Sequence, residues 1–145
     1  MIKISKALAL QIGGTSSLKE AIDNTVLRLF AGNVPDTADD SIGSATMLVE
    51  IRAADGSPLQ FEVDSLGRVI KSTNQQWNGT ATNTGRATFY RLVKESDTNG
   101  IATTEVRIQG TVSDMGADLT ITNPDITTGA IIPIGSGGYY FPTTA

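Results

Sequence analysis

An all-β fold is predicted: an antiparallel β-sandwich, jelly-roll-like, with about eight strands and a short N-terminal helical segment. Three observations predict it. Between Ala102 and Thr122, Val106, Ile108 and Val112 take one parity while Glu105, Arg107, Gln109 and Thr111 take the other, as in a half-buried antiparallel strand. Turn signals recur at roughly the 8–12-residue spacing of sandwiches and barrels. Hydrophobic residues make up 39% and charged residues only 18%, with 15 glycines, a profile of half-exposed strands and turns.

The elements follow in chain order. Ile4, Leu8 and Ile12 recur at helical spacing, and Gly13-Gly14 is expected to end that helix, leaving it too short to stand alone. Ser17 and Glu20 form a capping box for a second short helix from Leu18 to about Asp23. Val26–Ala31 reads as a strand, Gly32 to Asp40 as the start of a long polar loop, and Thr46–Arg52 as the next strand. Asp55-Gly56 marks a tight turn into Leu59, Phe61 and Val63, and Leu66-Gly67 turns the chain into Arg68–Lys71. Residues 72–85 form a polar stretch whose one large apolar residue is Trp77. Arg86–Lys94 is a strand, and Asn99-Gly100 supplies a turn. Ser113-Asp114-Met115-Gly116 is expected to join Val106–Val112 to Ala117, Leu119 and Ile121 as a β-hairpin. Asn123-Pro124-Asp125 breaks the pattern, Ala130–Ile134 restores a strand, and a Gly-rich joint leads to Tyr139, Tyr140 and Phe141. The division is an arm with a short helix over 1–25, a β-sandwich domain over 26–134, and a Gly-rich C-terminal arm over 135–145.

Composition excludes several classes of function. The net charge of −4 and pI near 4.7 speak against nucleic acid, which needs clustered Lys and Arg. No apolar run approaches the roughly 18 residues of a spanning helix, so no membrane partner is expected. The first dozen residues lack the features of a secretory signal, so synthesis in the cytoplasm is expected. With no cysteine, no disulfide holds the fold. With no histidine, the many hydroxyls lack their usual activating base. Asp36, Asp39 and Asp40 do not have EF-hand spacing, and Asp97-Thr98-Asn99-Gly100 reads first as a turn. Gly135-Ser136-Gly137-Gly138 lacks the Lys-Ser/Thr of a phosphate loop. No catalytic, metal or cofactor site is expected, and the chain is not expected to be an enzyme.

Contact residues are the remaining candidates. Trp77 either stacks on a sugar or partner, or plugs the core. Tyr139, Tyr140 and Phe141 need a groove, in the same subunit or in a neighbour, and Ile2, Ile4 and Leu8 pose the same question at the other end.

Val26-Leu-Arg-Leu-Phe-Ala-Gly-Asn-Val-Pro-Asp-Thr-Ala-Asp-Asp, Ala87-Thr-Phe-Tyr-Arg-Leu and Gln109-Gly-Thr-Val-Ser-Asp-Met-Gly-Ala-Asp-Leu resemble stretches of small structural proteins from the heads of tailed bacteriophages. The resemblance implies a capsid decoration, or cement, protein: a non-enzymatic virion component on the capsid exterior that bridges neighbouring major-capsid subunits. A homo-oligomer, dimer or trimer, is the expected form on the shell. The contact residues expected on this reading are Ile2, Ile4, Leu8, Trp77, Tyr139, Tyr140 and Phe141. Two alternatives are a tail or fibre module that binds a cell-surface glycan through Trp77, and a tail or connector protein, since one β fold hosts many functions.

Overall fold

Two runs, Val-Leu-Arg-Leu-Phe and Phe-Tyr-Arg-Leu-Val, pair at the centre of a large sheet because their alternate residues feed the same hydrophobic layer. The structure, a computed structural model, describes residues 1–135 and the two-residue strand Gly138–Tyr139. The chain runs β1 (Lys3–Ile4), α1 (Lys6–Gly14), α2 (Leu18–Ile22), β2 (Thr25–Ala31), β3 (Thr46–Ala53), β4 (Phe61–Val63), β5 (Val69–Lys71) and β6 (Trp77–Thr80). It continues through β7 (Gly85–Arg86), β8 (Phe89–Lys94), β9 (Arg107–Ser113), β10 (Leu119–Thr120), β11 (Asp125–Ile126), β12 (Ile131–Ile134) and β13 (Gly138–Tyr139). The fold is all-β and sandwich-like, as the sequence predicts. Eight strands make one sheet in the order β1-β9-β8-β2-β3-β6-β12, with β10 beside β9; β11-β7 and β13-β5-β4 form two smaller sheets. Among the described residues no helix is long and apolar enough to cross a membrane.

One face of the large sheet carries the main core. Leu27 and Leu29 of β2, Val49 and Ile51 of β3, Tyr90 and Leu92 of β8, and Ile108 and Val112 of β9 pack there. Against them lie Leu8 of α1, Ala21 and Ile22 of α2, Phe61 of β4 and Val69 of β5. This second layer explains the helices. Each is too short to persist in water, and each survives by covering apolar sheet. Serine caps both: Ser5 Oγ accepts from Leu8 N at 3.2 Å, and Ser17 Oγ accepts from Glu20 N at 3.1 Å, the second as the capping box predicts.

Several expectations are corrected. Gly13-Gly14 does not stop α1 but forms its last turn, with Thr15 N–H donating to Gln11 O as the cap; Ile4 lies in β1, outside the helix. Asp55-Gly56 turns the chain, but β4 leaves β3 and pairs with β5 instead. The polar stretch 72–85 holds β6 and ends at the first residue of β7, and β6 occupies an inner position between β3 and β12. The segment 102–106 is not a strand. The 113–116 turn does not make an antiparallel hairpin, because β10 lies parallel to β9 with Leu119 opposite Val112 and Thr120 opposite Ser113. Asp118, which accepts from Thr111 N at 3.0 Å, anchors the loop that brings β10 round.

The most consequential correction concerns the opposite face of the sheet. The parity of Arg107 and Gln109 predicts solvent exposure, yet each is only 1% exposed. Arg28 of β2, Arg91 of β8 and Gln109 of β9 stand opposite one another across the ladders, and Arg107 lies in the next row beside Val93. The loops 32–45 and 95–105 lie over them and supply backbone carbonyls to the guanidinium forks. Arg91 Nη2 donates to Asp40 O at 2.7 Å and Nε to Gln109 Oε1 at 2.9 Å. Arg28 Nη1 donates to Asp97 O at 2.6 Å, and Gln109 Nε2 to Pro35 O at 2.8 Å. The sheet is therefore buried on both faces at its centre, apolar on one and cationic on the other. Phe30 and Phe89 complete the cationic face, their rings stacked with centroids 4.9 Å apart.

Candidate functional site

The terminal segments are the expected contact elements; the fold sets the N-terminal one, with β1, beyond β9 at one margin of the main sheet, and β12, which precedes the C-terminal arm, forms the other margin. On the N-terminal side the Ser5 N–H donates to Arg107 O at 2.9 Å, which sets the phase of the antiparallel ladder. Lys3 then faces β9 with its backbone groups, while those of Ile2 and Ile4 point outward, without a backbone partner among the described residues. Their side chains are 44% and 42% exposed, and Met1 and Leu10 are exposed too. Of the ten large hydrophobic residues exposed among the described residues, four thus fall within the first ten positions. Such concentration marks a contact surface better than scattered single residues do.

This margin is held rigidly. Lys3 Nζ donates to Asp36 O, and Ser5 Oγ accepts from Arg107 N at 2.9 Å in addition to capping α1. The Met1 amine pairs with Asp118 Oδ2 at 2.9 Å. Met115, 77% exposed, stands three residues from Asp118 in the same loop.

The Asp118 carboxyl is held below its usual value. Burial pushes it up, but the Met1 amine and the N–H and hydroxyl of Thr111 outweigh that. A carboxylate depressed in the fold contributes stability that is complete above its unfolded value of 3.8 and is lost as pH falls through the lower folded value. The stability gap between wild type and Asp118→Asn is accordingly expected to be present at neutral pH and to shrink below 3.8. Urea titrations at a series of pH values measure it, and a gap independent of pH would contradict the assignment.

The opposite margin is built differently. Ala81 N–H donates to Ala130 O at 2.8 Å, so the ladder directs the N–H groups of Ile132 and Ile134 toward β6. Pro133 therefore presents its missing N–H to the outside. That is the position at which proline is tolerated in an edge strand and at which it blocks strand addition. Ile131 remains 68% exposed on this margin. Beyond it, the chain pairs Gly138 with Ile70 and Tyr139 with Val69, so the backbone here extends the small sheet. The expected contacts Tyr140 and Phe141 lie outside the described residues, as does the side chain of Tyr139.

Two of the seven candidates sit inside the molecule. Leu8 is 0% exposed in the main core. Trp77 is 5% exposed, its ring edge-on to Phe61 with centroids 5.2 Å apart and its Nε1 donating to Gln75 Oε1 at 2.9 Å. Lys71 Nζ lies 5.7 Å from the ring centroid. An open groove of about 250 Å³ runs beside it, between Lys71, Asn78 and Pro133. Trp77 thus serves as a core plug that also forms part of the groove's wall.

Sequence reasoning missed the cationic row that pins the long loops. Arg107 Nε and Nη2 grip Asp97 at 2.7 and 2.9 Å, and Nη2 also reaches Gly100 O at 2.7 Å. Burial and the neighbouring charge of Arg107 pull Arg91 down to about 10, against the opposing pull of Asp97, Asp40 and Asp39. Its Nη1 is buried without a hydrogen-bond partner among the described residues. One signal was available. In all three segments an arginine sits between apolar residues, in Leu27-Arg28-Leu29, Tyr90-Arg91-Leu92 and Val106-Arg107-Ile108. Neither a family model, a curated protein nor a solved structure matches this chain.

Proposed function

We propose that this chain is a virion structural protein, a capsid decoration or cement protein that binds the outside of a phage head and clamps neighbouring major-capsid subunits. The observation that supports this best is the N-terminal margin: an open edge strand with Met1, Ile2, Ile4 and Leu10 exposed, on a domain stiffened by two buried faces. A clamp requires a rigid body and contacts at separated places. Here Ile2 and Ile4 stand at one edge of the sheet and Ile131 at the other. Repetition over a shell makes modest single contacts collectively effective, and anything bound only to the assembled state stabilises that state by mass action. On this reading the shell contacts are Ile2 and Ile4 rather than Leu8 or Trp77, and the protein acts without cofactor or metal.

The test separates DNA-filled heads from tails of the source virion and quantifies the chain in each fraction by mass spectrometry. A copy number of the same order as that of the major capsid protein, confined to heads, is expected. A few copies confined to tails would overturn the reading and favour a tail or connector role.

A further inference from the structure

The chain contains two Asn-Gly pairs, Asn78-Gly79 and Asn99-Gly100, and the fold treats them oppositely. Asn78-Gly79 lies in β6. There Asn78 pairs with Arg52 and Pro133, Gly79 pairs with Ile132, and the phase of the β12 ladder engages the Gly79 N–H in a strand hydrogen bond. Asn99-Gly100 lies in the loop over the cationic face. Asn99 is half-buried with φ +66°, the left-handed conformation that asparagine tolerates. Arg28 Nη1 donates to Asn99 Oδ1 at 2.9 Å. The Asn99 N–H is taken by Asp97 Oδ1 at 2.7 Å, and its carbonyl by Ile42 N at 3.1 Å. Among the described residues the Gly100 N–H and the Asn99 Nδ2 make no hydrogen bond.

We propose that Asn99-Gly100 is a self-modification site at which the asparagine converts through a cyclic imide to aspartyl and isoaspartyl products. The Gly100 amide nitrogen, deprotonated by water or hydroxide, attacks Asn99 Cγ. The N–Cγ bond forms, and negative charge collects on Oδ1, where the Arg28 guanidinium already donates. The Cγ–Nδ2 bond then breaks with its electron pair remaining on nitrogen, which takes up a proton from water and departs as ammonia. Water afterwards adds to one carbonyl of the five-membered ring: addition at Cγ breaks N–Cγ and leaves aspartate with a side-chain carboxylate, and addition at the main-chain carbon breaks its bond to nitrogen and leaves isoaspartate, whose α-carboxylate hangs free while the chain runs on through Cγ. No oxidant or reductant takes part.

Three features select Asn99 over Asn78. Its nucleophile is not engaged in a ladder, its leaving group faces no acceptor, and its developing oxyanion has a cationic donor in place. Mutational removal of such a donor elsewhere costs about 10²–10³ in rate. Both products put a new negative charge near Arg28, and the isoaspartyl form also lengthens the loop that carries the exposed Ile101. The site is independent of the proposed capsid role and stands or falls on its own chemistry.

The experiment incubates the full-length native protein at mildly alkaline pH and maps residues 99 and 78 by peptide mass spectrometry with isoaspartyl detection. Asn99 is expected to convert at least roughly tenfold faster than Asn78, a floor below the about 10²–10³ that one oxyanion donor supports. In urea, where both pairs are unstructured, the difference should vanish. Gly100→Ala is the control variant, because a Cβ there meets only Thr98 Oγ1 at 3.7 Å and Gly100 has no positive φ, so the fold tolerates it. It should suppress conversion at Asn99 by crowding the nucleophile. Native Asn99 converting no faster than Asn78, or Gly100→Ala converting as fast as wild type, would overturn the proposal.

Discussion

Arg107→Met is expected to destabilise the protein by about 3–5 kcal/mol, the cost typical of removing one partner from a buried ion pair. The side chains of Arg107 and Asp97 are 1% and 0% exposed, and two of the guanidinium nitrogens reach both carboxylate oxygens. Without the arginine, the Asp97 carboxylate keeps, among the described residues, the Asn99 N–H at 2.7 Å. The carbonyls of Ala38 and Gly100, now served at 3.0 and 2.7 Å, lose their donor as well. Methionine fills much of the volume but supplies none of these bonds. A domain with about 5–15 kcal/mol of total stability feels such a loss strongly. Urea denaturation gives the magnitude, and limited proteolysis should show cleavage appearing within 32–45 and 95–105, the two loops the guanidinium joins. The double variant Arg107→Met with Asp97→Asn should cost less than the sum of the single changes, because it removes the stranded charge. A loss below about 1 kcal/mol for the single variant, the range of an exposed pair, would show that the pair does not carry the loops.

Gly79→Ala is expected to destabilise by about 1–3 kcal/mol or more, although it adds a single methyl group. A Cβ at Gly79 would lie 2.4 Å from Glu50 O and 2.9 Å from Val49 Cγ2 on the neighbouring strand. The oxygen belongs to the β3 backbone, so relief requires moving a strand that is paired on both sides. Gly13→Ala is the internal control of opposite sign. Gly13 lies within α1, a Cβ there meets nothing within 4 Å, and its φ is not positive. Replacing glycine at such a helical position in the last turn should stabilise by up to about 0.5–1 kcal/mol. Thermal unfolding of the two variants measures both. Equal shifts of the two midpoints would mean that glycine flexibility, and not the close approach of β6 to β3, governs position 79.

Much of the fold was legible in the sequence. Val26–Ala31, Thr46–Arg52 and Ala130–Ile134 are strands to within a residue, and Ser17 caps α2 through Glu20 as its spacing predicts. These succeed because alternation, capping and turn chemistry act between neighbours along the chain. β6 was not legible, since Trp77-Asn-Gly-Thr has no alternation; its place depends on β3 and β12 lying on either side. The direction of β10 escaped for a related reason. Residues 117–121 alternate whether the strand runs parallel or antiparallel to β9, and periodicity carries no information about direction.

The candidate contacts divide in the same way. Apolar character singled out Ile2, Ile4, Leu8 and Trp77 alike, but only packing distinguishes an exposed Ile4 from a fully buried Leu8 four residues later. By itself the sequence determined the all-β class, most strand positions, the start of α2 and the absence of histidine and cysteine chemistry, because these depend on residue type and local spacing. Tertiary structure alone decided that the polar face of β9 is covered as well as its apolar one. The polar parity of Arg107 and Gln109 faces inward because the distant loop 32–45 brings Pro35 and Ala38 over it and the preceding loop 95–105 folds Asp97 and Gly100 back onto it, and a guanidinium with five donors can be buried only where such acceptors converge.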